Sequence, residues 1–328
     1  MIVELTIQEA IVRFARTDFE RKLISYPFEF ERTHFIDERN GVIVGRVSAN
    51  LSLRDSTRGY IGMFDYQTSI DDSEQGASIL IESAVRWLMN RGVKKIYGPV
   101  NYSTLFQYRF ELPRDENEVA APVFFWEPTQ PEGFIKSFQN VGFTVAEEYH
   151  SRAYSNLQLI LPKSQTRYEE ALKSGFSTRP IDLATNPEHE LKMLSKINAG
   201  SFDESFLAEP FDEKIYKALV APQFIQYLSE FSFFILNQKG EEIGYFFLFP
   251  ESDYLIWKTV AILPEYQGFG LAGFGIHHAL MLAEKYSIKK VVCALIRKGA
   301  PSEVLLSRAV PFKIWEHRYA VFEKNCSN

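Results

Sequence analysis

Two stretches of the chain carry the same order of apolar and polar positions. Ile81, Ala84, Val85 and Leu88 fall at i, i+3, i+4 and i+7, which predicts one apolar face of a helix. Asn90-Arg-Gly92 then predicts the helix stop, with Gly92 in the left-handed position. Val93-Lys-Lys-Ile-Tyr97 reads as the strand that follows. Farther on, Ile276, Leu280 and Ala283 make a similar helical face, and Ile288-Lys-Lys-Val-Val292 is the matching strand. The two strands lie 195 residues apart, and the same offset carries the strand Tyr60–Tyr66 onto Leu255–Ala261. Each stretch reads strand, loop, helix, strand, with equal lengths. The unit is too long for a solenoid repeat, so the pattern predicts two similar α/β domains.

The boundary is expected near Leu157 to Lys163. Tyr154–Leu161 reads as a closing strand broken by Pro162, and a short helix over Gln165–Lys173 ends at Gly175. Residues 1–160 and 161–328 are thus the expected domains. The second copy is expected to begin with a strand at Ser177–Leu183, followed by helices over Glu188–Ala199 and Asp212–Leu228. Residues 237–240, Asn-Gln-Lys-Gly, read as a turn between strands Phe231–Leu236 and Ile243–Pro250.

Composition narrows the class. Hydrophobic residues make up 46% of the 328 positions and charged residues 24%, which excludes a mostly disordered chain. A formal net charge of −6 argues against broad binding of a phosphate backbone, so no nucleic-acid partner is expected. Cys293 and Cys326 form no Cys-x-x-Cys pair, and the six histidines, His277 and His278 included, show no zinc pattern. No metal is expected. Met1-Ile-Val-Glu-Leu lacks a secretory pattern, and runs such as Tyr245–Phe249 are too short to span a bilayer. The expectation is a cytoplasmic protein without a membrane partner.

The sharpest local signal is Ala261-Ile-Leu-Pro-Glu-Tyr-Gln-Gly-Phe-Gly-Leu-Ala272, which opens directly into a helix. Gln267, Gly270 and Ala272 fit Gln/Arg-x-x-Gly-x-Gly/Ala. Small residues there let a pyrophosphate approach exposed backbone N–H groups at a helix N-terminus. The stretch is neither a dinucleotide fingerprint nor a Walker loop.

With these residues the chain resembles the GNAT superfamily of acyl-CoA-dependent N-acyltransferases. Residues 177–324 follow its order, β-α-α-β-β-β-α-β-α-β. The implied fold class is α/β with a mixed sheet, built as two tandem GNAT-like domains. The resemblance implies that the main chain around Ala261 and Ile262 pairs with the pantetheine arm of acetyl-CoA or another acyl-CoA. It also implies that the loop Gln267, Gly268, Phe269, Gly270, Leu271 and Ala272 holds the CoA pyrophosphate. Residues 98–103 and 197–199 look like stretches of bacterial tandem-GNAT proteins classed as acetyltransferases. In the first copy, Gln267 aligns with Asp72 and Gly270 with Gln75, and Asp71, Asp72 and Glu74 bring three carboxylates to the loop. These would repel a pyrophosphate, so only the second copy is expected to bind CoA.

The usual catalytic groups of the family are replaced. Its general-acid Tyr reads Ser307, the following Gly reads Pro311, a preceding Asn reads Ala300, and a strand Glu base reads Ile256. Three readings stay open: direct attack by the amine with Ser307 or a water assisting the thiolate, substitution by other residues, or loss of chemistry. Asp203 and Glu204 are candidates near an amine, and Tyr319 and His317 near the thiol. Each also reads as a solvated or packed side chain, and Cys293 reads as inert core.

The first copy carries 26 extra residues between its last two strands, mostly Asn101–Phe110 and Pro122–Pro131. Long insertions of this kind are often functional. Asn101, Tyr102, Ser103, Tyr108, Arg109 and Trp126 are candidate acceptor contacts, joined by Asn198. The alternative is that the aromatics staple a loop to the sheet. The expected activity is N-acyl transfer to a primary amine of a small-molecule or peptide acceptor. A non-catalytic acyl-CoA sensor and aminoacyl transfer are the alternatives. The oligomeric state stays open.

Overall fold

The computed structural model describes residues 1–326 apart from 71, 116–120, 132, 229 and 307–310. The described strands are β1 (Ile2–Leu5), β2 (Arg32–Arg39), β3 (Val42–Leu51), β4 (Arg58–Tyr66), β5 (Lys95–Gly98), β6 (Phe110–Glu111), β7 (Thr144–Tyr154), β8 (Ser177–Pro180), β9 (Phe233–Leu236), β10 (Glu242–Glu251), β11 (Tyr254–Ile262), β12 (Lys290–Arg297) and β13 (Lys313–Asn325). They form one mixed sheet in the order β1-β2-β3-β4-β5-β13-β7-β12-β11-β10-β9-β8, with β6 on β13. Pairings β4–β5 and β11–β12 are parallel. The main helices are α1 (Ser73–Met89), α2 (Gly133–Asn140), α3 (Leu157–Lys173), α4 (Pro187–Phe202) and α5 (Leu271–Lys285).

The periodic segments take their expected forms. The apolar face of α1 buries Leu80, Ile81, Ala84 and Leu88 in the core of the first copy, and Gly92 adopts φ +81°. In the second copy Phe274, Ala279 and Leu280 of α5 pack on Phe246 and Leu248 of β10. The helix approaches the sheet closely because a Cβ at Gly275 would lie 2.2 Å from the Phe246 ring. The turn at 237–240 joins β9 to β10, with Gly240 at φ +77°.

The expected strand over Tyr154–Leu161 is corrected. The β7 strand stops at Tyr154, Asn156 turns the chain at φ +53°, and residues 157–173 form α3 with Pro162 inside it. Tertiary packing outweighs the local signal, since Leu157 and Ala171 are buried in the second core and Tyr168 stacks on Phe274 of α5.

The two copies exchange their last strands. The C-terminal β13 runs between β5 and β7, and β7 in turn pairs with β12. The side chains of β13 follow suit: Trp315 lies in the second copy's core, while Ala320 and Phe322 lie in the first copy's. Between them Tyr319 and Val321 pack with Tyr60, Tyr97, Tyr149 and Leu207.

A second tie is polar. Glu209, from the second copy, is buried and accepts hydrogen bonds from Ser52 Oγ (2.5 Å), Tyr60 Oη (2.5 Å) and the Leu53 amide (2.9 Å), all in the first copy. Glu209→Ala strands these buried donors, and each lost partner costs roughly 1–3 kcal/mol. The expected result in a thermal melt is a Tm lower by about 5–10 °C. An unchanged Tm would show the cluster to be energetically idle.

Candidate functional site

The Gly-rich loop leaves its amides free. After β11, Pro264–Tyr266 makes one short helical turn, and the chain reaches α5 through Gly268 (φ +84°) and Gly270 (φ +78°). Both conformations favour glycine, and a Cβ at either position would meet open space. Among the described residues, the amides of Gly268, Phe269, Gly270, Leu271 and Ala272 donate to no acceptor, and no side chain caps the helix. Leu271 is buried and anchors the turn, whereas Phe269 is 67% exposed. Gln267 donates Nε2–H to the Ile262 carbonyl at 2.9 Å. Such a row of amides at a helix N-terminus fits an anion such as a pyrophosphate.

A β-bulge opens the sheet beside this loop. One extra residue stands in β11 at Lys258, between pairs Leu248↔Trp257 and Phe247↔Thr259. The parallel ladder with β12 ends at Trp257↔Cys293, after which the two strands run on unpaired with each other. The gap belongs to a cleft of about 1620 Å³ that also reaches the Gly loop, Tyr149, and Asn101 and Thr104 to Arg109 of the first copy. Beyond Trp257, β11 has no ladder partner on the β12 side.

The first copy has the same bulge at the aligned place, with one extra residue between Gly62 and Asp65, but its gap is filled. The Val100 amide donates to the Ile61 carbonyl at 2.7 Å, and Asn101 Oδ1 accepts from the Met63 amide at 2.6 Å. This docking requires Gly62, because a Cβ there would lie 2.1 Å from the Val100 carbonyl oxygen. At the aligned loop Glu74 is bound by Lys136 (2.8 Å) and Asn140 (2.7 Å), and Asp72 begins α1. Asp71 lies outside the described residues.

The charge of the cleft opposes that of the whole chain. Its acidic lining residues are engaged: Glu20 by Arg46, Asp203 by Arg54, and Glu209 by Ser52 and Tyr60. Lys22, Arg109, Arg167, Lys258 and Arg297 also line it and form no ion pair among the described residues. Arg167 of α3 sits beside the first turn of α5, its Cδ 3.4 Å from where a Cβ on Gly273 would stand. Lys258 is half-buried over Trp126, 5.8 Å from the ring centroid. Burial and the nearby Arg109 guanidinium push its ammonium down to about 8.

The structure divides the expected site residues. Gln267, Gly268, Gly270, Leu271, Ala272 and Ile262 line the cleft, as do Asn101, Tyr108, Arg109, Trp126, Asn198 and Asp203. Ala261 and Phe269 do not, because the side chain of Ala261 enters the core on the far face of β11 and that of Phe269 points to solvent. Tyr102 is corrected to a core position. It is fully buried, and its hydroxyl meets His34 Nε2 at 2.5 Å. Ser103 is likewise buried, closing a turn by accepting from the Leu105 amide at 3.1 Å. Glu204 is exposed and outside the cleft lining. Tyr319 is fully buried on β13 and does not line the cleft, because the strand exchange packs it behind Tyr149, which does, and against Tyr60. His317 is buried with it and bonds Glu127 at 2.8 Å. Ser307 lies outside the described residues. Cys293 lines the gap, and burial pushes its thiol pKa up, which leaves it protonated.

Lys258, Arg167 and Glu209 carried no signal in the sequence. Lys258 matters through a bulge, and the other two through partners more than a hundred residues away. Among the described residues no helix is long and apolar enough to cross a membrane. Among the same residues no group of three or more His, Cys, Asp or Glu side chains is placed to hold a metal.

No family model matches the chain, and no curated protein does. Solved structures do. A tandem GNAT protein from the clavulanic acid biosynthesis pathway matches at TM-score 0.55 and 11% identity, covering 100% of this chain and 99% of its own. The glucosamine N-acetyltransferase region of a fungal multi-domain GH3 beta-N-acetylglucosaminidase matches at TM-score 0.56 and 14% identity, over 99% of this chain and 38% of that one. A conserved Enterococcus faecalis V583 protein described as a probable N-acyltransferase matches at TM-score 0.56 and 9% identity, over 99% and 72%. The whole chain therefore has the fold of a tandem GNAT protein.

Proposed function

We propose that the chain is an acyl-CoA-dependent N-acyltransferase, with acetyl-CoA as the expected donor and a primary amine as acceptor. The observation that carries this reading is the row of free amides from Gly268 to Ala272, opening into the gap between β11 and β12. Those amides would hold the pyrophosphate, and Arg167 would neutralise part of its charge. The acyl group would lie in the gap at Lys258, where the thioester supplies an activated carbonyl. N–H groups on the unpaired edge of β11 would stabilise the oxyanion that develops as the amine attacks. Residues 161–328 would thus bind the donor. Residues 1–160, their own gap filled by Val100 and Asn101, would contribute Arg109 and Trp126 to the acceptor side.

Calorimetric titration with CoA and acetyl-CoA tests the reading. Saturable binding of both is expected, together with release of free CoA thiol in the presence of an amine panel. Arg167→Ala should weaken CoA roughly five- to tenfold, and the difference should shrink at high salt, since a charge-assisted contact near the surface is screened. Absence of binding by either ligand would overturn the donor assignment. Binding without thiol release over any amine would leave an acyl-CoA sensor.

A further inference from the structure

Arg109 is held in an unusual way. Its backbone is left-handed at φ +87°, which is costly for a residue with a Cβ. Its guanidinium lies against two rings set at 88° to each other, those of Tyr108 (3.8 Å to the centroid) and Tyr149 (4.1 Å). One Nη donates to the Tyr108 hydroxyl. Its Nε is buried and has no partner. Across the gap, Leu295 on β12 is also left-handed, at φ +55°, and lines the same cleft. Backbone strain of this kind gathers at binding and catalytic sites. The second cation, Lys258, stands at the bulge where β11 leaves β12, with Trp126 beside it. Neither cation has a carboxylate partner among the described residues, and the acids that line the cleft are already engaged.

Two unpaired cations in a half-buried site are costly unless a ligand supplies the anion. The two rings and the Tyr108 hydroxyl fix the guanidinium in place, and its remaining parallel N–H groups match a planar carboxylate. Lys258 is adjacent to the place proposed for the acyl carbonyl, so the anion must lie within a few bonds of the attacking amine. We infer that Arg109 and Lys258 bind the carboxylate of the acceptor, which makes the acceptor a free amino acid or short peptide with its carboxylate close to the reacting amine. The identity of the amine rests on the acyltransferase reading; the anion site does not.

The test separates the two. Wild-type protein is titrated by calorimetry with the free amino acids and with glycylglycine, each against its primary amide, and with phosphoethanolamine, in the presence and absence of CoA. At least one free amino acid or glycylglycine should bind, with its amide at least tenfold weaker. Lys258→Met and Arg109→Met should each lose at least tenfold for that ligand while keeping wild-type CoA affinity, which also reports that they fold. Lys258→Arg should retain binding. The inference is overturned if no acid binds, if amides bind as well as acids, or if phosphoethanolamine binds in their place. A Lys258→Met enzyme with unchanged acceptor KM and reduced kcat would also overturn it. A wild type that takes the acid but not CoA would instead sink the donor assignment alone.

Discussion

Gly270→Glu should reduce CoA affinity by at least a hundredfold while the protein stays folded. The glycine adopts φ +78°, so any side chain there strains the backbone by about 1 kcal/mol. A Cβ would meet nothing within 4 Å, so the added chain has room and projects over the free amides instead of into the core. A carboxylate about 5 Å from a pyrophosphate opposes each phosphate charge by roughly 3 kcal/mol at an effective dielectric near 20, and a hundredfold loss needs only about 2.7 kcal/mol. Gly270→Ala separates charge from strain. It carries the same backbone cost without the anion, so it should melt like Gly270→Glu and bind CoA far better. Equal losses in the two variants would mean that the loop conformation, and not repulsion at a phosphate site, controls binding. Wild-type affinity in Gly270→Glu would move the cofactor off this loop altogether.

The features legible in the sequence are those written locally. Helices α1 and α5 each bury one periodic stripe, and the strands beside them alternate or run apolar. The Gly loop was legible because its chemistry is set by residues next to each other: Gly268 and Gly270 supply the positive φ, and Leu271 supplies the anchor. Features that depend on distant partners were not. Tyr102 sits in a polar, aromatic segment that invites a role at a pocket, yet His34 and the rings of Phe28 and Phe30 enclose it. Lys258 is one polar residue in an apolar strand, an ordinary pattern until the bulge shows where it stands. The apolar run after Tyr154 reads equally as strand or helix, and the packing of Tyr168 on Phe274 decides it.

Cutting the chain between the copies should leave two pieces that cannot fold alone. The reason is the strand exchange, which no periodicity encodes. Residues 1–156 lack β13, and with it Ala320 and Phe322, which are buried in their core, and Tyr319 and Val321, which cover Tyr60 and Tyr97. Loss of one buried aromatic costs roughly 3–5 kcal/mol, and whole domains are stable by only about 5–15 kcal/mol. Two missing aromatics and an unpaired edge on β5 are therefore enough to unfold the piece. Residues 157–328 lose β7 from the side of β12, exposing Val291, Val292 and Cys293 and leaving most of β13 without a ladder. Expressed separately, each should be insoluble or show no cooperative melt. Expressed together, they should form a one-to-one complex that melts cooperatively and binds CoA. One outcome competes on physical grounds: in the isolated second piece β13 could close onto β12 in place of β7, since the two strands are antiparallel equivalents in the repeat. A 157–328 fragment that is monomeric, melts cooperatively and binds CoA would show that this closure is available. The exchange would then be a preference of the full chain, set by the Glu209 cluster and the β7–β13 ladder, and not a requirement for folding.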